Sequence, residues 1–98
     1  MDYLDRSFKI MVMLSNIKEY LVKELEFNKG NGTLITKEIS EEHTTYVKFD
    51  DTRLEIWNSK NNYNRTSVNY SLLYDMVQYG MTEVKAYIDN ILLNVGHV

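Results

Sequence analysis

The first quarter of the chain carries apolar residues at helical spacing. They recur at intervals of three and four positions, which places them on one face of a helix: Ile10, Leu14, Ile17 and Leu21. This pattern predicts an amphipathic helix from about Tyr3 to Phe27. The helix should stop at residues 28–32, because the Asn and Gly residues there accept the left-handed backbone that ends helices.

Three segments rich in β-branched and aromatic residues follow, with polar turns between them. They predict strands at Leu34–Ile39, Thr44–Phe49 and Arg53–Asn58. A fourth segment, Tyr63 to Val68, is either an edge strand or part of a loop. In the first strand, Ile35 and Ile39 join an apolar face only if Lys37 lies between them.

The turn between the second and third strands would set how these two strands pair. If Asp50 and Asp51 form a two-residue loop, pairs follow by counting back from it. The pairs expected on an apolar face are Val47 with Leu54 and Thr45 with Ile56. The pairs expected on the other face, called the mixed face, are Lys48 with Arg53, Tyr46 with Glu55, and Thr44 with Trp57.

The helical period returns at Tyr70 and passes through Gly80 without losing phase. The apolar positions are Leu73, Val77, Met81, Val84, Ile88, Ile91 and Val95. We expect either one long helix weakened at Gly80 or two helices, the second capped by Thr82. The element order predicts one α+β domain over residues 1–98. An N-terminal amphipathic helix precedes a three- or four-stranded antiparallel meander, and one or two C-terminal helices pack on the sheet.

Composition narrows the class of protein. The 98 residues are 44% hydrophobic, enough for one core and too few for two. The net charge of −3 disfavours binding of bulk DNA, and the absence of cysteine excludes disulfides and thiol chemistry. The longest apolar run, residues 10–14, is far shorter than the roughly 20 residues that span a bilayer, and the N-terminal segment does not read as a secretion signal. We therefore expect a cytoplasmic protein without membrane contact.

Candidate catalytic and metal-binding side chains are few. The only histidines are His43 and His97, and His97 lies in a tail expected to fray. The two glutamates at 41–42 and His43 lie about 20 Å along a strand from Asp50 and Asp51, too far to share one metal ion. No phosphate-binding loop or nucleophile motif is present. We expect no catalytic residue, metal or cofactor, so an enzyme acting through residues 41–43 is the least favoured class.

The mixed face is the strongest candidate for a binding surface because it combines aromatic and basic side chains. Its expected members are Tyr46, Lys48, Arg53 and Trp57, extended by Tyr63 and Arg65. Three interpretations compete for it. In the first, the C-terminal helix covers the aromatic rings. In the second, a protein binds there, because Tyr, Trp and Arg dominate interface hot spots. In the third, single-stranded nucleic acid stacks on the rings.

The first helix also has apolar residues outside its main face: Phe8, Val12, Met13 and Tyr20. A helix that is apolar over more than one face often has two partners to cover it. Here these are the sheet and, as a candidate assembly, a second copy in a homodimer.

The order of helix, antiparallel meander and helices in a small acidic chain resembles several phage-encoded inhibitors of host defence nucleases. The resemblance lies in architecture and charge, without a shared motif. Such inhibitors present acids where a nuclease expects phosphates, which implies an acidic surface made of Glu41, Glu42, Asp50, Asp51 and Glu55. Lys48 and Arg53 interrupt that negative surface, which favours ordinary protein binding over phosphate mimicry.

These observations lead to one main hypothesis and one alternative. The main hypothesis is a small non-enzymatic protein-interaction module from a phage or other mobile element. It binds a protein partner and modulates or inhibits a host macromolecular machine. The alternative is a nucleic-acid-binding accessory protein that uses the aromatic and basic side chains of the mixed face.

Overall fold

The computed structural model describes residues 2–30 and 32–97, and it describes their side chains except at 2–4 and 61–63. The first helix, α1 (Asp2–Glu19), continues into a π-helical turn (Tyr20–Glu24). Four strands and two helices follow: β1 (Leu34–Ser40), β2 (His43–Phe49), β3 (Arg53–Asn58), β4 (Asn61–Asn69), α2 (Tyr70–Val77) and α3 (Met81–Asn94). The predicted α+β architecture is confirmed. Within the described ranges, no helix is long and apolar enough to cross a membrane.

The first helix ends earlier than its apolar pattern predicts. The π-helical turn closes at Glu24, and Glu26 has a positive φ of 62°, so the chain leaves the helix before residue 28. Tyr20 and Leu21, at the start of this turn, are both buried in the core. Phe27, placed inside the predicted helix, is instead a buried residue beyond its end.

The sheet is an antiparallel meander in which the strands follow their sequence order. The fourth segment is a strand, not a loop: β4 is nine residues long and forms one edge of the sheet. On β1, Lys37 lies on the same side as buried Ile35, and its Nζ donates to the Leu25 carbonyl oxygen at 2.8 Å. That hydrogen bond satisfies the charged group next to Ile35. Ile39 falls at the register shift between Glu38 and Ser40 and does not belong to the core, so the expected placement of both isoleucines on the apolar face holds for Ile35 alone.

The β2–β3 turn consists of Asp51 and Thr52, so the predicted Asp50-Asp51 loop is wrong. The Asp50 N–H donates to the Arg53 carbonyl oxygen at 2.9 Å, which makes these two residues the last pair before the turn. Every predicted pair therefore shifts by two positions. The observed pairs are Phe49 with Leu54, Lys48 with Glu55, Val47 with Ile56, Tyr46 with Trp57, and Thr45 with Asn58.

This register buries more apolar surface than the predicted one, because Phe49 pairs with Leu54 and not with Thr52. Both side chains are buried in the core. The two faces still carry the predicted residues, since a shift of two positions leaves every side chain on its own side of the sheet.

The helices pack on one face of the sheet and form a single core with it. Its fully buried side chains include Ile17, Leu21, Ile35, Val47, Leu54, Ile56, Leu73, Val84 and Ile88. Full burial of one such side chain contributes about 1.5–3 kcal/mol. Of the additional apolar residues of α1, Met13 and Tyr20 belong to this core, while Phe8 and Val12 are exposed.

Gly80 divides the C-terminal segment into α2 and α3. Its φ of 105° is accessible to glycine and strained for other residues, so the helical path breaks there although the apolar phase continues. Gly80 occupies the N-cap position, which means that the predicted capping by Thr82 is wrong.

Candidate functional site

Within residues 2–30 and 32–97, the helices leave the mixed face of the sheet without a covering layer. They pack against the side that carries Val47 and Ile56, as the shared core shows. Side chains alternate along each strand, so Tyr46 and Trp57 point to the opposite side. The interpretation in which the C-terminal helix covers Tyr46 and Trp57 is therefore wrong.

Three side chains on the mixed face form a layered cluster, called here the Trp57 stack: Tyr46, Trp57 and Arg65. The Tyr46 and Trp57 ring centroids are 5.2 Å apart, and their planes differ by 12°. The Arg65 guanidinium carbon lies 4.2 Å from the centroid of the Trp57 ring. Because β2 and β4 flank β3, Tyr46 and Arg65 lie on opposite sides of the indole.

The Trp57 stack is held in place by its own packing. An aromatic pair contributes about 0.5–1.5 kcal/mol beyond buried area, and an exposed cation–π contact adds about 0.5–1 kcal/mol. Tyr46 and Trp57 are half-buried, while Arg65 is exposed. A rigid pair of rings with accessible edges and a cation beside them therefore stands on the helix-free side.

The charged residues next to the Trp57 stack differ in whether they form ion pairs. Arg53 lies 3.8 Å from Glu55 and 3.9 Å from Asp50, and Glu55 is only 7% exposed. Among the described side chains, Lys48 and Arg65 make no ion pair within 4.0 Å. The cations next to the Trp57 stack are therefore free to meet a ligand, while the exposed Glu38 of β1 lies on the same face at the Tyr46 side.

Five of the six predicted partner-binding residues thus share one face: Tyr46, Lys48, Arg53, Trp57 and Arg65. The sixth, Tyr63, belongs to β4, but its side chain lies outside the described ones. The contact between Arg65 and Trp57 had no local signal, because it depends on the pairing of β3 with β4.

The five predicted acidic surface residues do not come together. Glu41 and Glu42 are exposed at the β1–β2 turn, whereas Asp50 and Asp51 lie at the other end of β2, about 20 Å away. Glu55 contributes little acidic surface because it is buried beside Arg53. In the described part of the chain, no three His, Asp or Glu side chains converge on a point that a metal ion would occupy.

A buried polar cluster on the other face was not predicted. The Asn58 amide donates to Thr45 Oγ1 at 2.6 Å, and His97 Nδ1 lies 2.7 Å from the same hydroxyl. The Thr45 hydroxyl accepts from Asn58, and the direction of its hydrogen bond with His97 Nδ1 follows from the tautomer of the imidazole. The His97 ring also stacks on Phe27 at a centroid distance of 5.4 Å.

This cluster holds the C-terminal end of the chain against the sheet, where fraying was expected. His43 Nε2 lies 2.9 Å from the Gly96 carbonyl oxygen and fixes the same segment. Burial lowers the pKa of His97 below its ordinary value, and the charges of Lys37 and His43 act in the same direction. A neutral, packed histidine of this kind serves the fold, so the mixed face remains the candidate site.

Comparisons with protein-family models, with curated proteins and with solved structures find no match for this chain. Functional inference consequently depends on the geometry of the chain itself. The Trp57 stack is the feature on which the proposal depends, because it combines two aromatic rings and a cation on the side of the sheet opposite the core.

Proposed function

We propose that this chain is a non-enzymatic protein-interaction module that binds a partner protein on its mixed face. The observation that supports this most is the Trp57 stack. Tyr, Trp and Arg are the residue types most enriched in interface hot spots, and here they are ordered before any partner arrives. Ordering in advance reduces the entropy lost on binding.

The arrangement of the rings favours protein over nucleic acid as the ligand. A base stacks on a free ring face, yet Tyr46 and Arg65 already occupy the two faces of Trp57. What Trp57 and Arg65 offer to a ligand is therefore the exposed part of the indole and a guanidinium group. Those groups suit a protein pocket with apolar walls and an acidic rim, which would complement Lys48 and Arg65.

A module of this kind acts by occupying a surface of its partner, since the proposal gives it no chemistry of its own. As in the phage-encoded inhibitors that it resembles, binding would modulate or inhibit a larger macromolecular machine. The scattered acids make nuclease inhibition by phosphate mimicry the weaker version of this proposal. Contact through the Trp57 stack is the version that the geometry supports.

The test is affinity capture from a nuclease-treated lysate of the cells in which the protein acts. The bait proteins are the wild type, Trp57→Ala, and Tyr79→Ala as a matched control. Tyr79 is 83% exposed and lies between α2 and α3, so its removal deletes an accessible aromatic ring away from the mixed face. We expect one protein at fixed ratio with the wild type and Tyr79→Ala, and at least a tenfold loss with Trp57→Ala.

Equal capture by all three baits would show that the partner binds elsewhere. The nucleic-acid alternative is tested separately with fluorescent single-stranded oligonucleotides at low salt. Binding that falls steeply as salt rises, and that is lost in Arg65→Ala, would overturn the proposal in favour of a nucleic-acid-binding protein.

A further inference from the structure

The two edge strands of the sheet, β1 and β4, differ in whether another segment hydrogen-bonds to their outer side. At the β1 edge, Asn28 N–H donates to the Thr36 carbonyl oxygen at 2.7 Å, and Thr36 N–H donates back to Asn28 at 3.4 Å. The segment after the π-helical turn therefore pairs with this edge at Thr36. β4 forms the opposite edge, and no strand of the described chain pairs with its outer side. An uncovered edge is a template for pairing with another strand.

The outward backbone groups of β4 follow from the hydrogen bonds on its inner side. Tyr70 N–H donates to the Thr52 carbonyl oxygen at 3.0 Å. Antiparallel pairing alternates, so Thr66 and Val68 also bond toward β3. Consequently the N–H and C=O groups of Arg65, Ser67 and Asn69 point away from the sheet, and the side chains of these three residues are exposed.

We propose that two copies of this chain pair antiparallel along β4, with Ser67 opposite Ser67 of the second copy. This centre sets Arg65 opposite Asn69 of the other copy and leaves like charges apart. A pairing centred on Arg65 would instead place two guanidinium groups face to face, which is destabilising. Pairing about Ser67 satisfies all the outward backbone groups of residues 65, 67 and 69 in both copies.

The pairing extends the proposed function without depending on it. A two-fold axis through Ser67 stands perpendicular to the sheet, so the mixed faces of both copies lie on one side of a continuous sheet. The two Arg65 residues are offset by four positions along neighbouring strands, which places their Cα atoms roughly 14 Å apart. The dimer therefore presents two Trp57 stacks side by side, a bivalent surface that neither copy has alone.

The chain contains no cysteine, which permits a direct test of this geometry by cross-linking. Two residues that form a hydrogen-bonded antiparallel pair, as Ser67 and its counterpart would, have Cα atoms about 5.5 Å apart. This separation is inside the disulfide range of about 4.4–6.8 Å. We expect Ser67→Cys to form a disulfide-linked dimer under mild oxidation. Ser71→Cys is the matched control at an exposed position of α2, and Val12→Cys reports a dimer formed through the exposed apolar residues of α1.

Sedimentation of the cysteine-free protein gives the independent measurement. We expect twice the monomer mass for the wild type and the monomer mass for Ser67→Pro, since proline removes the outward N–H and spares the β3–β4 ladder. Ser67→Asp, which opposes two carboxylates at the two-fold axis, should also be monomeric, while Ser71→Asp stays dimeric. Circular dichroism checks that each variant is folded.

A wild type that remains monomeric would overturn the proposal. Cross-linking through Val12→Cys in place of Ser67→Cys would overturn it in favour of an α1 interface. Because these measurements use the purified chain alone, their result is independent of whether the lysate capture finds a partner.

Discussion

Tyr46 lies directly opposite Trp57 on neighbouring strands, with ring centroids 5.2 Å apart and planes 12° apart. This relationship is a consequence of the β2–β3 turn. A turn one residue earlier would bring Glu55 opposite Tyr46 and would separate the two rings. The candidate site therefore depends on the hairpin register, and the register in turn depends on burying Phe49 against Leu54.

Neighbouring residues on β3 should differ sharply in their effect on stability. The Ile56 side chain is 0% exposed, so Ile56→Ala leaves a cavity in the core. This change should lower the free energy of unfolding by about 2–5 kcal/mol. Trp57→Ala removes the stacking, about 0.5–1.5 kcal/mol, together with the area that a half-buried ring covers, and should cost less than Ile56→Ala. Urea denaturation of both variants measures the difference. Equal losses would show that Trp57 is a core residue and not a binding residue.

The Thr45–Asn58 pair should behave as a unit. Thr45→Val leaves the buried Asn58 amide without its acceptor, at a cost of about 1–3 kcal/mol, and it also removes the hydroxyl beside His97. Asn58→Leu removes the partner that donates to Thr45 and accepts from the Lys60 N–H. The double variant should therefore lose less than the sum of the single ones. Strict additivity in a double-mutant cycle would contradict this coupling.

Ionisation of the Tyr70 hydroxyl should lower the stability of the protein in alkali. Burial, together with the charges of Asp50 and Asp51, raises the pKa of Tyr70 to about 12. The contribution of Tyr70 to the free energy of unfolding is complete below about pH 10, where the residue is still protonated in the unfolded chain. This contribution is lost as the pH rises toward 12. Tyr70→Phe, which lacks the hydroxyl that donates to the Asp50 carbonyl oxygen, should show a flatter alkaline profile of melting temperature. The exposed Tyr79→Phe serves as control and should follow the wild type.

Mild acid should destabilise the protein through His97. The pKa of His97 is lowered by burial, so the folded state binds a proton less readily than the unfolded chain. The stabilising contribution is therefore complete above about pH 6.5 and is lost as the pH falls through the lowered folded-state pKa. His97→Gln should reduce the loss of melting temperature between neutral pH and about pH 5. Parallel acid profiles of the two proteins would contradict this assignment.

Local periodicity was sufficient for the first helix, the first three strands and the membership of each face, while it left β4 and the division at Gly80 open. Ile17 and Leu21 share a helical face, and Val47 and Ile56 share a side of the sheet, as their spacing predicts. These features depend on a repeat of 3.6 or 2 residues, which a single strand or helix carries by itself. The aromatic and basic composition of the mixed face was predictable on the same basis.

Only the tertiary structure decided the features that join residues distant along the chain. The register of the hairpin was settled by packing in the core. The side covered by the helices was settled by the path of α2 before Gly80 and of α3 after it. The contact of Arg65 with Trp57 needed β4 to pair with β3, and His97 reaches Thr45 across 52 positions of sequence. Such contacts form where burial and hydrogen bonding of the whole chain are best satisfied together, and no local pattern encodes that optimum.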